Sequence, residues 1–432
     1  MLKRKMEDKL VNWLNSKRKT AFILKGIRQS GKSYLIDNVL DARDCLKVKI
    51  DLLDNPLVAN AITNAVNSEY IEALIETFIP ENPTNKEIII FIDEAQKAQE
   101  IFTFIKYLVD RNKYRYILSG SLLGISLSKV LSIPLGYAEL ETMYPLDFQE
   151  FLLANNISNE TIKQLQTYYD NQSEVPEYLH LKMLNLFSIY TAIGGLPRVV
   201  EEYLIYKDYN KTNEILSYIN GLFVYDISQY ADNNSDKLAI MDIYDLIPGE
   251  LNQENKRFML KSVKQRKRFE QLQNNFGWLM NAGVSISAYI CEEPIYPLKR
   301  TIARNLFKLY LADTGLLVYR FSKTLSREIL LQNENINYGS VYENIIAQEL
   351  NCKGYEMYYY NNKKNGEVDF IIEQNSEVIP IEVKSGKSYH IHRALNNLLN
   401  QYNIKKGVVF SHGNISKKEN IIYLPIYMVM FF

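Results

Sequence analysis

Cysteine is scarce in this chain of 432 residues. Cys45, Cys291 and Cys352 stand far apart with no metal-ligand spacing. That pattern excludes a cysteine zinc site and fits a reducing compartment. Histidine occurs only four times, which argues against a histidine-rich metal centre. Neither sign of charge is in excess, because 50 lysines and arginines balance 50 aspartates and glutamates. Any basic surface for nucleic acid or anionic lipid must therefore be local. Long apolar runs are missing as well. The C-terminal PIYMVMFF is too short to span a bilayer and reads as a final buried strand, and MLKRKMEDKL lacks the apolar core of a secretion signal. The expectation is a soluble cytoplasmic protein with no membrane contact, long enough for two or three domains.

What is present is concentrated in AFILKGIRQSGKSYLIDNVL, residues 21–40. Ala21 to Leu24 read as a short buried strand, and a helix is predicted from Ser33. Between them lies Gly26-x-x-x-x-Gly31-Lys32-Ser33, a complete phosphate-binding loop. Gly26 and Gly31 let successive backbone N–H groups turn towards phosphate oxygens, and the helix N-terminus adds its positive dipole end. Lys32 would reach the β and γ phosphates of ATP, and the Ser33 hydroxyl would ligate Mg²⁺. Gln29, Ser30 and Tyr34 complete the candidate nucleotide-binding set.

Further apolar runs at 45–52, 88–94, 114–120 and 138–146 alternate with helical stretches, which predicts a five-stranded parallel α/β sheet over residues 1–152. The run Ile88–Ile92 ends in Asp93-Glu94, about sixty residues after the loop. An acidic residue there holds Mg²⁺, and a following glutamate polarises the attacking water. Ser119 ends the next strand, where a small polar side chain either senses the γ phosphate or caps the strand.

The residues Gly26, Arg28, Gln29, Gly31, Lys32 and Ser33, with IDEAQ (92–96), LSGS (118–121) and YPLDFQEFL (144–152), resemble the AAA-type bacterial and archaeal ATPases that carry a C-terminal domain of unknown function. The resemblance implies ATP hydrolysis and a sheet in which the strands before the loop and before Asp93 are neighbours. Those ATPases carry Gly-Arg shortly before the YPL segment, whereas this chain has Gly136-Tyr137. The arginine's role would fall to Arg111, Arg115 or a neighbouring copy in a homo-oligomer.

Residues 153–335 are expected to be helical. The polar stretch 155–185 suits a surface insertion, and TAIGGLPRVV (191–200) and FKLYLADTGLL (307–317) resemble further segments of the same family. The order helix, helix, long helix and strand over 240–290 predicts a winged helix. Lys256, Arg257, Lys261, Lys264, Arg266, Lys267 and Arg268 form a basic cluster that either contacts DNA or RNA phosphates or is a solvated face. Asp313-Thr-Gly reads as a turn or cap.

Residues 336–432 carry a second constellation. A two-residue loop at Asn375-Ser376 turns GEVDFIIEQNSEVIPIEVKSG into a hairpin in which residue 370 faces 381 and 369 faces 382. One face then collects Val368, Phe370, Ile372, Ile379, Ile381 and Val383. The other collects Glu367, Asp369, Ile371, Pro380, Glu382 and Lys384. Asp369 opposite Glu382 needs compensation, which Mg²⁺ or Mn²⁺ would supply, with Lys384 beside them and Glu343 inward on an upstream helix. His390 and His392 read as surface loop residues. The order helical Glu, Asp, Glu-x-Lys resembles the PD-(D/E)XK nucleases, which implies a nuclease-like α/β fold with Glu343, Asp369 and Glu382 on metal and Lys384 assisting cleavage. The alternative is an ATP-driven switch whose last domain only binds a partner.

Overall fold

The computed structural model describes residues 2–81, 83, 86–129, 136–230, 233–263, 269–331, 338–386 and 390–432. They fall into two compact units, residues 3–144 with 281–283 and residues 145–280 with 284–432.

In the first unit the apolar runs become β1 (Ala21–Lys25), β2 (Leu46–Asp51), β3 (Ile88–Asp93), β4 (Arg115–Gly120) and β5 (Ala138–Thr142). The strands are parallel, in the order β2-β3-β4-β1-β5. This corrects one expectation, since β4 separates β1 from β3. A parallel sheet nevertheless brings all strand C-termini to one edge, so two strand spacings set the loop after β1 and Asp93 roughly 10 Å apart. Alternate residues feed two cores. Ile23, Ile50, Ile90, Ile92 and Leu118 pack on Phe102 and Ile105, whereas Phe22, Leu24, Ile89, Phe91 and Ile117 pack on Leu10, Trp13, Leu35 and Ile36. A parallel sheet covered on both faces needs such unbroken apolar strands.

In the second unit a mixed sheet contains β6 (Ser285–Cys291), β7 (Ile302–Leu311), β8 (Met357–Asn362), β9 (Gly366–Gln374), β10 (Glu377–Val383), β11 (Gly407–Ser411), β12 (Ser416–Lys418) and β13 (Ile421–Pro425). Among the described residues its order is β12-β13-β11-β10-β9-β8-β6-β7. The antiparallel pair β6–β7 stands where a wing is expected, but β6 also pairs in parallel with β8. Residues 285–311 therefore share the C-terminal sheet, and a boundary at 335/336 cuts across one layer. The final PIYMVMFF is not a strand. β13 ends at Pro425, and Ile426–Phe431 is a buried 3₁₀ helix, as a prolyl ring that cannot donate to a ladder allows.

Two segments with no assigned chemistry meet at Asp313. Its buried carboxylate accepts the N–H of Leu316 at 2.9 Å, capping the helix Thr314–Phe321, and the N–H of Gly195 at 2.7 Å. Gly194 has φ +77°, and a Cβ there would lie 2.2 Å from the carboxylate. Asp313→Ala strands two buried N–H donors, so a loss of roughly 2–3 kcal/mol is expected in urea unfolding.

Candidate functional site

The loop between β1 and the helix Lys32–Asp41 is held open by backbone that other residues adopt poorly. Gly26 has φ +154°, Gln29 +66° and Gly31 +89°. A Cβ on Gly26 would lie 2.1 Å from the carbonyl oxygen of Met143, so only glycine fits. The Lys32 side chain points back into the turn, and Nζ donates to the carbonyl oxygens of Gly26 at 2.9 Å and Ile27 at 3.0 Å. Ser33 is half-buried in the first helical turn, whereas Tyr34 is 58% exposed on its outer face. The Ser30 Oγ is fully buried and, among the described residues, has no hydrogen-bond partner.

Asp93 ends β3 and is 4% exposed. Its Oδ1 accepts the Ser119 hydroxyl and the N–H of Glu94, while Lys49 Nζ lies 3.9 Å from Oδ2. Ser119 is the penultimate residue of β4, beside Leu24 of β1, so it stands between the loop strand and Asp93. Glu94 takes a left-handed conformation (φ +53°), and its carboxylate accepts from the Gln96 amide and, at 3.5 Å, the Ser121 hydroxyl. Gln96 is a contact to which the sequence assigned no role, although it closes the IDEAQ segment two residues after the glutamate.

Neither named arginine stands at this edge. Arg115 opens β4 at the opposite edge and donates to the carbonyls of Trp13, Leu14 and Ser16. Arg111 is paired with Glu69 and Glu72.

In the second unit the hairpin has the expected register. Phe370 faces Ile381 and Glu377 faces Gln374, with Asn375 and Ser376 both at positive φ. The split into faces differs in one place. Tyr358 pairs with Ile371 and Tyr360 with Val368, so Asp369 and Phe370 together oppose Tyr359. This bulge returns Val368 to the side of Ile371, where both join the core with Tyr358 and Tyr360. Ladder pairing of β9 with β10 stops at Phe370 and Ile381, and the Asp369 carboxylate takes the N–H of Val383 at 2.8 Å.

The fold gathers Glu343, Asp369, Glu382 and Lys384, and it adds lysines from outside the predicted domain. Glu343, 1% exposed on the helix Gly339–Cys352, accepts from Lys256, from Lys308 at 3.4 Å and from Tyr310 at 3.3 Å. Lys308, fully buried, also meets Glu367 at 2.6 Å. Lys384 donates to Glu382 at 2.8 Å, and the other Glu382 oxygen is buried without a partner among the described residues. Burial alone would raise the Glu343 carboxyl, but the Lys308 and Lys256 ammonium groups bring it to about 2. Burial, then Glu343 and Glu382, push Asp369 well above the ordinary carboxylate range. Burial also raises Glu382, against the pull of Lys384.

Three ammonium groups thus stand against these carboxylates: Lys256 and Lys308 on Glu343, Lys308 on Glu367, and Lys384 on Glu382. Lysines therefore meet part of the carboxylate charge for which the sequence called on a divalent cation. Among the described residues no group of three His, Cys, Asp or Glu side chains is arranged to hold a metal ion. Lys308 was not singled out from the sequence; its one signal there is a lone charge in the apolar run FKLYLA, since a charge in a buried strand requires a partner.

Lys256 belongs to this cluster and not to a free basic face. Of the rest of the basic stretch, Lys261 is exposed, Arg257 is half-buried, and 264–268 lie outside the described residues. His392 is buried, not on the surface, with Nε2 2.6 Å from the Tyr423 hydroxyl, whereas His390 is exposed. No described helix is long and apolar enough to cross a membrane.

This geometry, a glycine-bounded loop at the C-terminal edge of a parallel sheet with an acidic strand end nearby, is that of a P-loop domain. Residues 18–152 match the family described as AAA domain. Residues 184–326 and 338–429 match two domains of unknown function, DUF8612 and DUF4143. An uncharacterized protein of Haemophilus influenzae is 24% identical over 409 residues, covering 89% of this chain and 87% of that protein. Two solved structures are similar at a coarser level. A Walker-type ATPase of Pyrococcus abyssi has 15% identity over 74% of this chain and 96% of its own, with a TM-score of 0.44. Cdc6p of Pyrobaculum aerophilum has 12% identity over 76% and 92%, with a TM-score of 0.26.

Proposed function

We infer that the chain is an ATP-hydrolysing switch whose C-terminal sheet engages a partner. The observation that carries the first half is the edge shared by Lys32, Ser33, Ser119 and Asp93, with the buried Ser30 hydroxyl left for a ligand to satisfy. Lys32 exchanges the carbonyls of its own loop for phosphate oxygens. Ser33 and Asp93 supply the hard oxygen donors that Mg²⁺ takes, and the ion when bound neutralises phosphate charge. Asp93 is held by Ser119 and the Glu94 N–H, which fixes its carboxylate. Glu94 orients water for attack once its carboxylate leaves Gln96 and Ser121.

The lysine-neutralised cluster supports a C-terminal module that binds without cleaving. A second reading is metal-dependent cleavage of DNA or RNA at Glu343, Asp369 and Glu382 with Lys384. One observation favours it, the convergence of those four side chains where the β9–β10 ladder ends. The test is incubation of the full chain with plasmid and RNA in Mg²⁺ or Mn²⁺, with and without ATP. The switch reading expects ATP turnover, no cleavage, and identical nucleic acid after incubation with Glu382→Ala. Cleavage lost in that variant would establish the second reading.

A further inference from the structure

We propose that Arg4 is a positioning residue for the phosphate-binding loop, holding the Gly31 amide in its ligand-facing direction. This rests on the reading of that loop as the ATP site. Arg4 immediately precedes the helix Lys5–Asn15 and is 7% exposed. One terminal nitrogen, Nη1, donates to the carbonyl oxygen of Ser30 at 2.9 Å, and the other, Nη2, donates to that of Tyr144 at 2.7 Å. The two acceptors are 114 residues apart in the chain, and a planar guanidinium fixes both at once.

The consequence follows from the geometry of a trans peptide. The C=O of Ser30 and the N–H of Gly31 belong to one planar unit and point in opposite directions. A carbonyl tied to Arg4 therefore aims the Gly31 N–H away from Arg4. Ser30 lies between Gln29 and Gly31, both at positive φ, a stretch that relaxes readily if nothing restrains it. The second arm acts on the entrance to the loop. Met143, next to Tyr144, donates its N–H to the carbonyl of Lys25 at 2.7 Å and places its own carbonyl over Gly26. Arg4 thus ties the end of the β5 segment to the crest of the loop.

The arm that carries the guanidinium is anchored. Met6, Leu10, Trp13 and Leu14 of its helix are buried in the core with Phe22, Leu24, Leu35 and Ile36. Those last two lie on the helix that begins with Lys32 and Ser33. These two bonds go to backbone carbonyl oxygens, which are not phosphate ligands, so the effect is on affinity through the loop's shape. Lysine presents a point charge and cannot span both carbonyls in a fork, so Arg4→Lys restores only part of the function.

The experiment measures ATP and ADP dissociation constants, kcat, KM and thermal midpoint for the full chain, with Arg4→Met, Arg4→Lys and Lys32→Ala. Expected for Arg4→Met is a tenfold or greater rise in Kd and KM with kcat changed less than threefold. Arg4→Lys should fall between it and the wild type, with a thermal midpoint close to the wild type. Arg4→Lys carries the test alone if Arg4→Met does not fold. Wild-type affinity in Arg4→Lys, or a lowered midpoint with unchanged Kd below the transition, would overturn the assignment. If the wild type binds no nucleotide, or Lys32→Ala binds as well as the wild type, the ATP site itself is wrong. If both behave as expected and only the Arg4 variants bind normally, this inference alone fails.

Discussion

Lys32→Ala should lower ATP hydrolysis by about 10²–10³-fold, the cost of deleting one preorganised donor aimed at developing charge. Binding should weaken too, because each charge-assisted hydrogen bond contributes about 1.5–3 kcal/mol. In the free protein the ammonium is already seated among the loop carbonyls of Gly26 and Ile27, so it needs little reorganisation to reach phosphate oxygens. Glu94→Gln supplies the contrast. Its carboxylate is not part of the phosphate cradle, so turnover should be lost while affinity stays within a few-fold of the wild type. Parallel turnover and equilibrium-binding measurements on the two variants separate the roles. Loss of turnover with full affinity in Lys32→Ala would contradict the assignment.

The second large effect concerns stability. Lys308→Met removes a fully buried ammonium that faces Glu343 and Glu367. Breaking a buried pair from one side leaves uncompensated charge and costs about 3–5 kcal/mol. A lower urea midpoint for the second unit is expected. Adding Glu343→Gln removes the charge left behind, so the double variant should recover part of that loss, a coupling that a double-mutant cycle reads directly. Strictly additive losses would show that the two side chains do not interact.

The nucleotide-binding constellation was legible because its determinants are local. Two glycines, a lysine and a serine within eight residues specify a turn, a helix start and a charge, and no distant contact has to intervene. The strands were legible for a similar reason, as buried parallel strands read as continuous apolar runs. The hairpin register came from a turn that Asn375 and Ser376 can adopt together with an alternation of side chains. That alternation failed at Asp369 because a bulge depends on the third strand. Nothing in a two-strand count reveals that Tyr359 faces two residues.

The sequence by itself determined the elements that rest on short-range chemistry: the P-loop, the acidic end of β3 and the β9–β10 turn. Only the tertiary structure decided that β4 lies between β1 and β3, that β6 and β7 extend the C-terminal sheet, and that Lys256 and Lys308 neutralise Glu343. The physical reason is the same in each case. Strand order and charge compensation depend on which surfaces must be buried together, and residues far apart in the chain meet only once the sheet that joins them has formed.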